Sequence, residues 1–270
     1  MRAPAALALS GALLLSAPAL AGGKPVTIPN AIGAADAPDL EGWLDMPSDD
    51  SRVPAVVLMH GCTGLTPPVR AGLQAHATFL VEHGIAALIV DSFGPRGLGG
   101  GQVCSSVAKL GAASWYRVGD AFNSLAFLRG QAGIDGESIF LLGQSNGGTV
   151  VLNAARERGA RHIGTTERFA GVIAYYPYCA GVEDPVIPIL ILIGSDDDWT
   201  PAASCEAAGV FDASGLIEVV IYPGAVHSFD LAIAKQLYVG HWVGGDADAT
   251  EDSRERMLAF IRRGVEAHGP

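Results

Sequence analysis

The chain has 270 residues, 49% hydrophobic and 17% charged, and its 17 Lys and Arg against 28 Asp and Glu give a net charge of −11. That length and apolar content suffice for one large core. The scattered negative charge argues against nucleic acid and anionic membrane surfaces as partners, and no repeat or low-complexity tract marks a second domain.

Residues 1–21 read as an export signal: Arg2, the apolar run Ala5 to Leu15, and small residues at Ala19-Leu20-Ala21 for cleavage. The expected mature chain is then one domain, 22–270, with no membrane partner once the signal is cleaved. An uncleaved anchor is the competing reading, but the apolar run is short and lies between Pro4 and Pro18. Losing the segment removes one Arg, leaving 16 basic against 28 acidic residues and a net charge of −12.

Next comes "VTIPNAIGAADAPDLEGWLD" (26–45), which can form an antiparallel hairpin. Apolar, β-branched runs follow: "VPAVVLMH" (53–60), "GIAALIVDSF" (84–93), "SIFLLG" (138–143), "FAGVIAYYP" (169–177), "PILILIG" (188–194) and "IEVVIYPG" (217–224). Segments 69–83, 114–130 and 145–158 carry apolar residues at helical spacing, and 251–267 reads as a closing amphipathic helix. Strands apolar on both faces and separated by helices predict an α/β fold with a mostly parallel, doubly wound sheet. Reactive groups in such sheets sit just past the carboxyl ends of the strands.

At one such end, Gly143-Gln144-Ser145-Asn146-Gly147 fits G-x-S-x-G, the turn that lifts a nucleophilic serine between strand and helix. Taken alone the match is weak; its strand-to-helix context strengthens it. A serine hydroxyl needs a base, and the base needs an orienting carboxylate. "LIGSDDDWTP" and "YPGAVHSFD" end the next strands but one and two, offering Asp197 and His227 in the order Ser, Asp, His. Asp198 is the alternative acid, and the acidic run could also be a solvated loop or a weak cation site. His241 is the rival base; His76, His83 and His162 read as surface residues, and His60 as a turn residue. The Asn146 N–H and the Cys62 N–H of "HGCTG" are expected to hold the oxyanion.

Cys62, Cys104, Cys179 and Cys205 allow three pairings, which the spacing leaves open, and none resembles a zinc site. "GLGGG" (97–101) lacks the Lys-Ser/Thr of a phosphate loop and reads as an active-site loop. Phe93, Trp199, Tyr176 and Phe229 stand at strand ends, where aromatic rings line a pocket or join the core. Phe93 and Trp199 are expected to bind substrate.

"HGCTG", "DSFGPRG", "GQSNGG", "YYPYC", "LIGSDDDWTP" and "YPGAVHSFD", spread over nearly the whole mature chain, resemble the dienelactone hydrolase family of α/β-hydrolases. The resemblance implies the α/β-hydrolase fold and pairs Cys62 with Cys104 and Cys179 with Cys205. It implies hydrolysis of a small-molecule ester or lactone without metal or cofactor. The family's best-known members use a cysteine nucleophile and a loop glutamate where this chain has Ser145 and Gly61. They also hold a substrate carboxylate with two arginines. Arg96 matches one, whereas "SFDLA" after His227 offers Asp230, so a neutral ester is expected over a small anionic lactone. An acyltransferase or peptidase would share the same catalytic residues, and a binding protein would keep only the fold.

Overall fold

A computed structural model describes residues 22–48, 51–179, 184–210 and 212–268. The expected export signal, 1–21, lies outside them. Eight strands form one sheet: β1 (Lys24–Ile28), β2 (Leu40–Asp45), β3 (Val53–Met59), β4 (Ala86–Asp91), β5 (Ile134–Gln144), β6 (Gly171–Tyr175), β7 (Ile189–Gly194) and β8 (Ile217–Tyr222). Their order is β1-β2-β4-β3-β5-β6-β7-β8; β1 and β2 join antiparallel and every pair from β4 to β8 is parallel. This is the expected α/β-hydrolase sheet, with the hairpin of 26–45 at its edge.

Burial explains the strands. Every residue of Ile189–Gly194 and Gly171–Tyr175 is buried, which apolar, β-branched sequence tolerates and a polar-faced strand would not. Helices α1 (Pro67–Glu82) and α6 (Ala247–His268) pack together, as do α2 (Val107–Arg129) and α3 (Asn146–Ala154). Right-handed crossovers put the two pairs on opposite faces.

Several elements depart from the sequence reading. Helix α2 starts at Val107, seven residues before 114, because the Ser106 hydroxyl caps it by accepting from Lys109 N–H. The run 145–158 breaks after Ala154 because Arg156 is extended (φ −107°, ψ 148°), and a short helix α4 (Glu157–His162) follows. Helix α5 (Ala202–Val210) and the two-stranded ribbon β9 (Gln236–Tyr238) and β10 (His241–Val243) were not foreseen.

The cysteines pair as the family resemblance implies, Cys62 with Cys104 and Cys179 with Cys205. Among the described residues no helix is long and apolar enough to cross a membrane.

Candidate active site

Strand β5 delivers Ser145 into a turn with φ 53° and ψ −116°, a conformation L-residues rarely adopt. The turn is held from both sides: Ser145 N–H donates to Tyr175 O (2.9 Å), and Ser145 O accepts from Thr149 N–H (2.9 Å). Glycines make this approach feasible. A Cβ on Gly143 would sit 2.2 Å from Gly147 O, and one on Gly147 would sit 2.6 Å from both His60 O and Met59 O. These are backbone atoms that cannot swing aside. Gly147→Ala should therefore cost about 3 kcal/mol, read as a lower midpoint in urea denaturation; an unchanged midpoint would show that the turn relaxes freely.

The strand ends bring three predicted side chains together. Ser145 Oγ donates to His227 Nε2 at 2.9 Å, and His227 Nδ1–H donates to Asp197 Oδ2 at 2.7 Å. Asp197 and His227 are buried. Asp197 Oδ1 accepts the Trp199 and Thr200 N–H groups at 2.9 and 2.8 Å. The Thr200 hydroxyl lies 2.9 Å from Asp197 Oδ2, 3.2 Å from His227 Nδ1 and 3.1 Å from Tyr176 O. Burial pushes the Asp197 carboxyl up, but the hydrogen bond and charge of His227 and the Thr200 donors outweigh it, so its pKa falls below the ordinary 3.8.

The alternatives are drawn off elsewhere. Asp198 accepts from Trp242 N–H at 3.0 Å and lies 3.6 Å from His241 Nδ1, while the His241 ring stacks on Trp199. They face each other at the rim and leave Ser145 to His227.

Cys62 lines the cavity above Ser145, and Gly61 brings this loop to the serine: a Cβ there would lie 3.3 Å from Ser145 Cβ. Asn146 opens α3, so its N–H has no acceptor within the helix. Both residues thus lie beside Ser145. The cavity, about 380 Å³, is lined by Val69, Trp199, Leu231, Ile233, Tyr238 and Val243 among others, with Gly100 of the glycine run at its edge. Among the described residues no Asp, Glu, Lys or Arg lines it.

Two expected substrate-binding residues are corrected. Arg96 does not line the cavity. Its guanidinium turns inward, donating to Asp120 at 2.7 and 3.0 Å and to Ser92 O at 2.5 Å, because buried Asp120 offers a better partner than solvent. Phe93 is 1% exposed and packs with Cys62, Val103, Cys104 and Ala113, on the edge of the His60 ring. Trp199 does line the cavity, its ring centroid 5.0 Å from that of His227, and so does Tyr176, whereas Phe229 is core.

His76 is not a surface residue. It is fully buried and donates from Nε2 to Asp230 Oδ2 at 2.7 Å. Asp230 also accepts from Gln144 Nε2 (2.6 Å) and the Tyr176 hydroxyl (2.5 Å). Burial raises this carboxyl's pKa, but these donors outweigh it and hold it below the ordinary 3.8. The network ties two cavity residues to the core. Neither it nor Thr200 was singled out from the sequence, although Asp230, three residues past His227, was a legible sign.

The dienelactone hydrolase family matches residues 40–264 of the chain. No curated protein sequence matches it. Among solved structures it is similar to a thermophilic esterase from Thermogutta terrifontis with butyrate bound, at 17% identity and a TM-score of 0.63, covering 91% of this chain and 95% of that one. A dienelactone hydrolase-like promiscuous phosphotriesterase from metagenomic libraries gives 18% and 0.64, covering 90% and 98%. Est1E from Butyrivibrio proteoclasticus with ferulic acid bound gives 18% and 0.58, covering 86% and 99%.

Proposed function

Because the chain belongs to the dienelactone hydrolase family, we propose that it is an exported carboxylic ester hydrolase that cleaves a neutral small-molecule ester through an acyl-enzyme on Ser145. The observation that carries this reading is the unbroken run of hydrogen bonds from Ser145 Oγ through His227 to Asp197 at the floor of an apolar cavity. Ser145 Oγ attacks the ester carbonyl carbon while its proton passes to His227 Nε2. Asp197 holds the imidazole in the tautomer that can take that proton and stabilises the resulting imidazolium. The Cys62 and Asn146 N–H groups receive the oxyanion. Collapse of the tetrahedral species breaks the C–O bond, and His227 returns the proton to the leaving alcohol. Water then releases the acid by the same route, regenerating Ser145.

A neutral substrate is supported by the lining: an anionic ester would surrender its hydration with no cation among the described lining residues to replace it. Export is supported by the signal-like residues 1–21 and by two disulfides, which persist in oxidising compartments.

The experiment is mass spectrometry of the protein treated with a fluorophosphonate probe. One adduct is expected, on Ser145, and none on protein heat-denatured before treatment. No adduct on folded, disulfide-intact protein would favour a binding protein.

A further inference from the structure

Arg117, on α2, is 0% exposed and reaches the residue after Ser145. A fully buried guanidinium is costly unless its donors are used. One terminal nitrogen donates to His60 O at 2.8 Å, and the other donates to Asn146 Oδ1 at 2.9 Å. The first acceptor lies two residues before Cys62, and the second is the side chain of the residue that follows the nucleophile. The Asn146 amide is fixed at its other end too, donating to Leu110 O at 3.0 Å and Ser114 Oγ at 2.9 Å.

The neighbours isolate this cation. The Phe93 ring lies 4.9 Å from its centre. Asp120, whose charge acts most strongly on it among the acids, is bonded twice by Arg96. No ion pair within 4 Å joins Arg117 to a carboxylate among the described residues. Burial lowers its pKa to about 10, with Asp120 opposing, so it stays charged at neutral pH. Burial and that same charge push the pKa of His60 well below the ordinary 6.5, and its ring serves as a neutral hydrogen-bonding spacer between Gly61 O and Ser92 N–H.

Resting on the ester-hydrolase reading, we propose that Arg117 is the positioning residue of the oxyanion hole. One guanidinium fixes the spacing of the Cys62 loop and the Asn146 helix end. It touches no substrate. Its effect is to keep two N–H groups aimed at a charge that appears only in the tetrahedral state, so it acts on kcat more than on KM. Arginine is required because a lysine ammonium cannot span both acceptors in one plane.

The test compares wild type, Arg117→Lys and Arg117→Met with a neutral p-nitrophenyl ester and with a trifluoromethyl ketone. The ketone carbon accepts Ser145 Oγ and becomes a tetrahedral oxyanion, so its Ki reports the hole directly. Expected are falls in kcat of about 30-fold for Lys and about 100-fold for Met, KM within threefold, and a Ki that rises in step with the loss in kcat/KM. Native melting with kcat and Ki within threefold of wild type overturns the proposal. So does a fall in kcat with an unchanged Ki, which a merely structural role would give. If both variants fail to fold, Asn146→Ala severs one arm and keeps its backbone N–H. A Ki raised about tenfold supports the clamp, and an unchanged Ki overturns it. A wild type that neither turns over esters nor labels at Ser145 overturns the ester-hydrolase reading first and the clamp with it.

Discussion

Ser145→Ala should lower kcat for a neutral ester by about 10⁵-fold or more while leaving the fold intact. The serine hydroxyl is the group His227 Nε2 faces at 2.9 Å, and alanine removes that atom without adding bulk. The backbone keeps its positive φ of 53°, a strain that Ser and Ala bear alike. Residual catalysis would come from the oxyanion donors and binding alone. Initial rates, with circular dichroism to verify folding, decide the matter. More than about a hundredth of wild-type activity would mean that a different group attacks the ester.

The second large effect belongs to the acid. Asp197→Asn should reduce kcat by about 10⁴-fold. An amide NH₂ facing His227 Nδ1 forces that nitrogen to accept, which leaves the proton on Nε2, where it can no longer take the Ser145 proton. The Trp199 and Thr200 N–H donors hold the asparagine oxygen and enforce the wrong orientation. Stability changes as well. Since the Asp197 pKa lies below 3.8 in the folded protein, the unfolded chain takes up this proton first as pH falls. The stabilising contribution is therefore complete above the unfolded value and is lost as pH drops through the folded one. Urea denaturation should show the variant less stable than wild type at pH 7, with the gap closing in acid. A gap that widens in acid would contradict this account.

The site was legible in sequence where backbone topology alone fixes position. Runs such as "PILILIG" and "SIFLLG" are apolar on both faces, so they had to be central strands, and central parallel strands all deliver their ends to one rim. Ser145, Asp197 and His227 are such ends. What a strand end does not fix is which way a side chain turns. Arg96 and Phe93 stand at the rim in sequence but face inward, drawn by Asp120 and by the buried Cys62 and Cys104 cluster. The inner stripes of helices were a second legible but unread signal. Arg117 shares the buried face of α2 with Ala113, Asp120 and Ser124, and His76 lies among Val69, Leu73 and Leu80 on α1. A charged or polar residue at an inward period is a buried partner in waiting. The ribbon β9–β10 gave no signal, since three-residue strands are too short for a period to emerge.

The two disulfides flank the chemistry: Cys62 sits in the loop that abuts Ser145, while Cys179 follows Tyr176 by three residues and Cys205 follows the Asp197 turn. Their sequence separations of 42 and 26 residues correspond to about 4 and about 3.5 kcal/mol of unfolded-chain entropy on a loop-closure basis, comparable to the entire margin that keeps many domains folded. Newly made chains still holding thiols lack both clips. A reduced chain should therefore lose its fold at a lower urea concentration than the oxidised one.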